Sequence, residues 1–380
     1  MRHIILFLIL SILLGGCSTA PQDADIEIAT APASKNEPIT TPATRQIDPM
    51  KSLLASMTLE EKVGQLFLAR CDETTAIDDI STYHPGGYIL FGQDFDGETP
   101  DSFRQKIAEY QAASPIPLLI AVDEEGGTVC RVSSHVAFRN RRFPSPRENY
   151  AAGGMEQALA METEKAQLLS TLGINVNMGP VCDITSGFGA FMQPRSLGEG
   201  PEETGRFASA TVQVYSSHGI GSVLKHFPGY GNNSDTHTQM VTDHRGLSDL
   251  EEADLIPFAE AIHAGADAVL VSHNIIEALD SAAPATLSPA VHDYLRNTMD
   301  FDGVIVTDDL VMQAITDAYG AEESAVLAVL AGNDLLCSSE YRIQYPAVLE
   351  AVKNNRISMA QLDESVMRIL EWKKELGLIF

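Results

Sequence analysis

Eight short apolar runs, spaced along one long stretch of chain, limit most severely what this sequence can fold into. They fall at 65–69, 87–91, 118–122, 176–178, 223–224, 268–271, 304–306 and 335–337. Runs this short and this apolar fit strands buried on both faces, as in parallel sheets. Helical patterns lie between most of them, at 102–113, 155–172, 202–218, 250–264 and 321–330. Eight βα units predict a (β/α)8 barrel, a TIM barrel, forming a single catalytic-sized α/β domain over 48–380. The alternative is an open doubly wound sheet, but its usual G-x-G-x-x-G fingerprint after the first strand is absent. At the start of the domain, Thr58 reads as a helix N-cap with Glu61 at the capping-box position.

The barrel reading says where chemistry should sit. Polar residues that follow strands converge on one face of a barrel. Asp123 follows the third run, Lys225 and His226 the fifth, His273 the sixth and Asp308 the seventh. One such residue is readily a helix cap; ionisable residues after several strands are harder to explain that way.

The residues ahead of the barrel read differently. Arg2 supplies a positive charge, and residues 4–14 are apolar apart from Ser11, too short for a membrane-spanning helix, which needs about 20 residues. This is the pattern of a signal peptide over 1–16. It ends in Leu14-Gly15-Gly16-Cys17, which resembles a bacterial lipobox and implies a lipid on the Cys17 sulfur. Residues 17–47 then read as the lipidated cysteine and a disordered tether, rich in Ala, Pro, Thr, Ser and acidic residues without apolar periodicity. The expectation is an extracytoplasmic protein anchored in a bacterial cell membrane, the outer membrane in a Gram-negative cell.

Charge excludes one class of partner. A formal net charge of -27 argues against nucleic acid, whose phosphates require a basic surface. Cys71, Cys130, Cys182 and Cys337 allow three pairings, and their spacing matches no metal site. We read them as free thiols in the core.

The most specific stretch is Lys225-His226-Phe227-Pro228-Gly229-Tyr230-Gly231 followed by Asp235-Thr236-His237. It resembles a segment of the β-N-acetylglucosaminidase branch of glycoside hydrolase family 3. Four further stretches agree in order and spacing. Residues 57–66 (MTLEEKVGQL) look like that family's opening helix and first strand. Asp123-Glu124-Glu125-Gly126-Gly127 with Arg131, Arg195-Ser196-Leu197-Gly198, and the run from Phe301 to Met312 containing Asp308-Asp309-Leu310 are similar to others. The resemblance covers 48–380.

It implies a retaining exo-β-N-acetylhexosaminidase without metal or cofactor, a monomeric barrel acting on amino-sugar oligosaccharides such as muropeptides or chitooligosaccharides. Asp308 is matched to the nucleophile, since retention requires a carboxylate that forms a glycosyl-enzyme intermediate. His237 is matched to the acid/base, with Asp235 orienting it. Their i, i+2 spacing lets both side chains point one way along an extended segment, and the imidazole pKa suits the task. Asp123, Arg131, Arg195, Lys225 and His226 are matched to sugar binding, with His273 as a weaker member that a buried core histidine would equally explain. There are three departures: Tyr230 and Thr128, which bear on specificity, stand where the family commonly has His and Arg, and Pro194 precedes Arg195. The rival readings are a β-glucosidase of the same family and a catalytically inactive sugar-binding lipoprotein. The Asp235/His237 pair argues against the first, and Asp308 with His237 against the second.

Overall fold

The computed structural model describes residues 48–185, 187, 189–235 and 240–380. The signal peptide, Cys17 and the tether lie outside them, as does His237. Each apolar run becomes a strand. The eight are β1 (Phe67–Arg70), β2 (Gly87–Leu90), β3 (Leu119–Val122), β4 (Val176–Asn177), β5 (Gly221–Phe227), β6 (Ala268–Val271), β7 (Val304–Thr307) and β8 (Leu336–Ser338). They pair in parallel in the order β7-β6-β5-β4-β3-β2-β1-β8. The Val306–Leu335 bridge brings β7 back to β8 and nearly closes the barrel.

Helices cover the strands, and their ends follow local chemistry. Thr58 accepts from the Glu61 amide while the Glu61 carboxylate accepts from the Thr58 amide, so the helix Leu59–Gln65 starts where the capping box placed it. The helix Pro146–Thr171 departs from helical dihedrals at Gly153 and Gly154, and Gly154 has φ of 64°. The apolar periodicity read from the sequence begins at residue 155, directly after that break. Gly154 permits the break because it has no Cβ to clash at positive φ.

One strand is longer than its apolar run. β5 continues through Lys225 and His226 to Phe227, although both intervening residues are ionisable. Its register against β6 shifts between Leu224 and Phe227. A local irregularity of this kind re-aims side chains beside a site, and Lys225 and His226, adjacent in sequence, both line the same cavity.

The four described cysteines are free and buried. Among the described residues no helix is long and apolar enough to cross a membrane.

Candidate active site

A cavity of about 770 Å³ opens where β3, β5 and β7 end. That size is typical of a small-ligand pocket. Asp123 enters directly after β3 and Asp308 directly after β7. Arg131, Arg195, Lys225, His226 and Asp235 also line the cavity, so the structure gathers seven of the sequence-predicted residues around one space. Ile89, Phe91, Met178, Phe191 and Leu270 supply apolar wall. A pocket mixing apolar surface with a few aimed polar groups suits a sugar ring.

A chain of charges organises the depth of the cavity. The Lys225 ammonium donates to Asp123 Oδ1 at 2.6 Å and lies 2.6 Å from Glu125 Oε1. Arg195 grips Glu125 with both arms of its fork, at 2.8 and 2.6 Å. Such a bidentate pair fixes the guanidinium plane as well as its position. Burial alone would raise the Glu125 pKa, but Arg195 and Lys225 outweigh it and hold the carboxyl well below the usual range. Burial likewise opposes the Lys225 charge, and Asp123 and Glu125 overcome it, raising its pKa. Glu125 therefore stays ionised and keeps two cations in place. Lys225 retains one proton for a ligand beyond these two partners. Asp123 Oδ2 accepts no hydrogen bond among the described residues and can take one from a sugar hydroxyl.

His226 is held from both sides of its ring. An Arg195 terminal nitrogen donates to its Nε2 at 3.1 Å. A guanidinium has no acceptor, so Nε2 must accept. The ring proton then sits on Nδ1 and is given to Asp183 Oδ2 at 2.8 Å. Both ring nitrogens thus have partners inside the protein, and His226, on the cavity wall, also positions Arg195. His273 is fully buried and is not among the described residues lining the cavity. Its Nδ1 contacts the Thr286 hydroxyl at 3.0 Å and its Nε2 the Asp309 carbonyl at 3.1 Å, which steadies the turn after β7.

Asp183 and the role of Glu125 were missed. Asp183 accepts from the amides of His226 and Tyr230 and from the His226 ring. It lies a few residues beyond β4, so the rule that singled out Asp123 would have found it.

The remaining carboxylates near the mouth are occupied. Glu124 is fully buried and accepts from the Arg131 and Val132 amides at 2.9 and 2.7 Å and from the Ser133 hydroxyl. Asp309 is held by the Ser339 hydroxyl and amide and by the Val311 amide. Asp308 Oδ1 accepts from the Asp309 amide at 2.9 Å. Arg131 lies with its guanidinium 5.6 Å from the Phe91 ring centre.

The model of the glycosyl hydrolase family 3 N terminal domain matches residues 58–372. The β-hexosaminidase LpqI of Mycobacterium tuberculosis is 31% identical over 357 residues, 90% of each chain. The β-hexosaminidase of Tolumonas auensis is 34% identical over 287 residues, 73% of this chain and 83% of that one. Among solved structures, a glycoside hydrolase family 3 β-N-acetylglucosaminidase from Paenibacillus superposes with a TM-score of 0.79 at 35% identity. That match covers 85% of this chain and 63% of the other. The M. tuberculosis LpqI structure gives a TM-score of 0.77 at 30% identity, covering 85% and 96%. Matched over most of its length by these enzymes and by the family model, the chain belongs to glycoside hydrolase family 3 and is a β-hexosaminidase-like glycoside hydrolase.

Proposed function

We propose that the protein is a retaining, exo-acting β-N-acetylhexosaminidase that removes terminal β-linked N-acetylglucosamine from cell-wall muropeptides or chitooligosaccharides. The observation that carries this is the position of Asp308, on the cavity wall directly after β7 and facing a space lined by Asp123, Lys225 and Arg195. A nucleophilic carboxylate there attacks the anomeric carbon while the other three hold the sugar's hydroxyls. The relatives named β-hexosaminidase and β-N-acetylglucosaminidase support the choice of sugar.

His237 protonates the leaving oxygen, and Asp235, two positions before it in sequence and lining the cavity, orients the imidazole. Elimination supports this assignment. Glu125 is committed to Arg195 and Lys225, and Glu124 is buried under backbone amides, so neither is free to deliver a proton. No metal or cofactor enters the proposed chemistry, and the protein works as a monomer. Cys17 carries the lipid anchor and residues 17–47 the tether, which holds the barrel outside the cytoplasm, at the outer membrane in a Gram-negative cell.

A panel of aryl β-N-acetylglucosaminide, aryl β-glucoside and aryl β-N-acetylgalactosaminide tests the reading. Turnover should be highest on the first. A preference for the glucoside would replace the reading with its β-glucosidase rival, and inactivity on all three would favour a sugar-binding protein. Detergent-phase partitioning that survives Cys17→Ala would reject the anchor.

A further inference from the structure

An ion-pair network outside the active-site cavity is built against the backbone that leads to Asp235. Its centre is Arg245. The guanidinium gives Nε and one terminal nitrogen to Asp243, at 3.0 and 2.7 Å, and its other terminal nitrogen to Asp254 Oδ2 at 2.5 Å. Asp243 and Asp254 are both buried. Asp254 lies directly before the helix Leu255–His263, whose Leu255, Phe258 and Ala261 pack in the core, so the far end of the network is fixed to the barrel.

The near end touches the chain that follows β5. Gly231 has φ of 55°, and a Cβ there would lie 2.7, 2.8 and 3.0 Å from one terminal nitrogen, Cζ and the other terminal nitrogen of Arg245. Such even distances mean that the backbone rests on the face of the guanidinium, an approach only glycine allows. Gly229 meets Asp254 in the same way, since a Cβ there would come 2.5 Å from Oδ1. Asp243 also accepts from Asn233 Nδ2 at 3.0 Å, which ties together the two described stretches that flank residues 236–239. Past that tie, the Val241 and Asp243 carbonyls accept from the Ile275 and Glu277 amides. Charge accounts for the cation. Burial raises the Asp254 pKa to about 6 from an ordinary 3.8; Arg245 pulls it down, and Asp183 and Asp243 push it up. Three aspartates thus crowd beneath this backbone, and Arg245 is the bridge that lets two of them stand together.

We infer that Arg245, held by Asp243 and Asp254, is a positioning residue for the acid/base: it fixes the course of residues 229–235 and so sets where Asp235 stands at the cavity, two positions before His237. Arg245 is not among the described residues lining the cavity, so its effect on the reaction passes through that pair. The inference rests on the acid/base reading above and adds the group that sets its geometry. Misplacing a reacting group by about 1 Å costs up to about 10²-fold in rate. For a proton donor that loss falls on leaving groups that need the proton.

The test compares kcat/KM of the whole enzyme on an N-acetylglucosamine disaccharide, whose leaving alcohol needs a proton, and on a dinitrophenyl β-N-acetylglucosaminide, whose leaving group does not. Arg245→Gln should slow the disaccharide by about 10²-fold and leave the dinitrophenyl glycoside nearly unchanged. A merely structural role would slow both alike. In a His237→Ala background the same substitution should cost the disaccharide about twofold at most, because an absent acid cannot be misplaced. Should Arg245→Gln not fold, Asn233→Ala carries the test, since it cuts the tie to Asp243 without stranding a buried charge. It should show the same selectivity at about 3- to 10-fold, the worth of one hydrogen bond. Equal slowing of both substrates by a folded variant, no slowing of either, or the full loss repeated in the double variant overturns the inference while His237→Ala keeps its own dependence on the leaving group. If His237→Ala lacks that dependence, the acid/base reading and this inference fall together.

Discussion

The two rims of this barrel both carry polar residues and use them in opposite ways. On the floor, residues just before strands are stitched into the protein. Asn175, before β4, accepts from the Ile120 amide and donates to the Leu118 carbonyl. Asp267, before β6, accepts from the Ser222 amide and hydroxyl. Asp334, before β8, accepts from the Ile305 amide, Arg296, Arg368 and Ser365. At the mouth, residues at and after the strand ends form a charge chain that stops at a cavity. Asp123 and Lys225 each have hydrogen-bonding capacity left over there. Floor polarity closes the barrel; mouth polarity is kept for a ligand. In this fold a polar residue beside a strand is a site candidate only on the carboxyl side of the strand.

That contrast is broken most sharply by exchanging one aspartate at each rim for asparagine. Asp308→Asn should lower turnover by roughly 10⁴-fold or more, as removal of a nucleophile does, while the melting temperature stays nearly unchanged. Asp334→Asn should do the reverse. Breaking a buried ion pair costs about 3–5 kcal/mol, so denaturant titration should show a large loss while the folded fraction keeps its kcat. Equal damage to both properties in both variants would erase the distinction between the rims.

The proposed pair of Asp235, which lines the cavity, and His237, which lies outside the described residues, sharpens it further. His237→Ala should slow a natural disaccharide by roughly 10²- to 10⁴-fold, the range of general acid catalysis, and a nitrophenyl glycoside far less in its glycosylation step. Asp235→Asn should give a milder form of the same pattern. Equal slowing of both substrates would make His237 a binding or structural residue.

On the floor, Lys373 is fully buried, donates to Gln65 Oε1 at 2.7 Å, and has its pKa pushed down by burial to about 7 from an ordinary 10.5. Between those values the unfolded chain holds the proton and the folded one releases it, so this group makes stability rise with pH from about 7 to about 10. Lys373→Met should raise stability at pH 7 by roughly 2–4 kcal/mol and remove that rise, with kcat unaltered. Chemical denaturation of both proteins across that range checks it, and an unchanged pH slope would count against it. The smallest effect is expected at the start of the helix Leu59–Gln65, where Thr58→Ala should cost about 1 kcal/mol through the lost cap and leave activity alone.

The sequence revealed the barrel because each buried strand is a short apolar run, and all eight runs lie on or beside an observed strand. It understated β5, because two ionisable residues interrupt the apolar pattern at Lys225 and His226 although both are buried. Residue identity located the cavity lining better than it located roles. Nothing in the sequence says that Arg195 occupies His226 Nε2, since that depends on a contact between residues 31 positions apart. For the same reason the sequence does not show that the His273 ring contacts the Thr286 hydroxyl and the Asp309 carbonyl. Asp183 was within reach of the strand-end rule and was passed over because its strand is short and the residue lies a few positions beyond it.

The central claim is that Asp308 is the nucleophile of a covalent mechanism. A 2-deoxy-2-fluoro glycoside with a good leaving group forms its glycosyl-enzyme faster than it is hydrolysed, so the intermediate accumulates. Intact-mass and peptide mass spectrometry should then find one sugar per protein, ester-linked to Asp308 and absent from Asp308→Asn. A label on any other carboxylate, or turnover with inversion and no trapped adduct, would contradict the account.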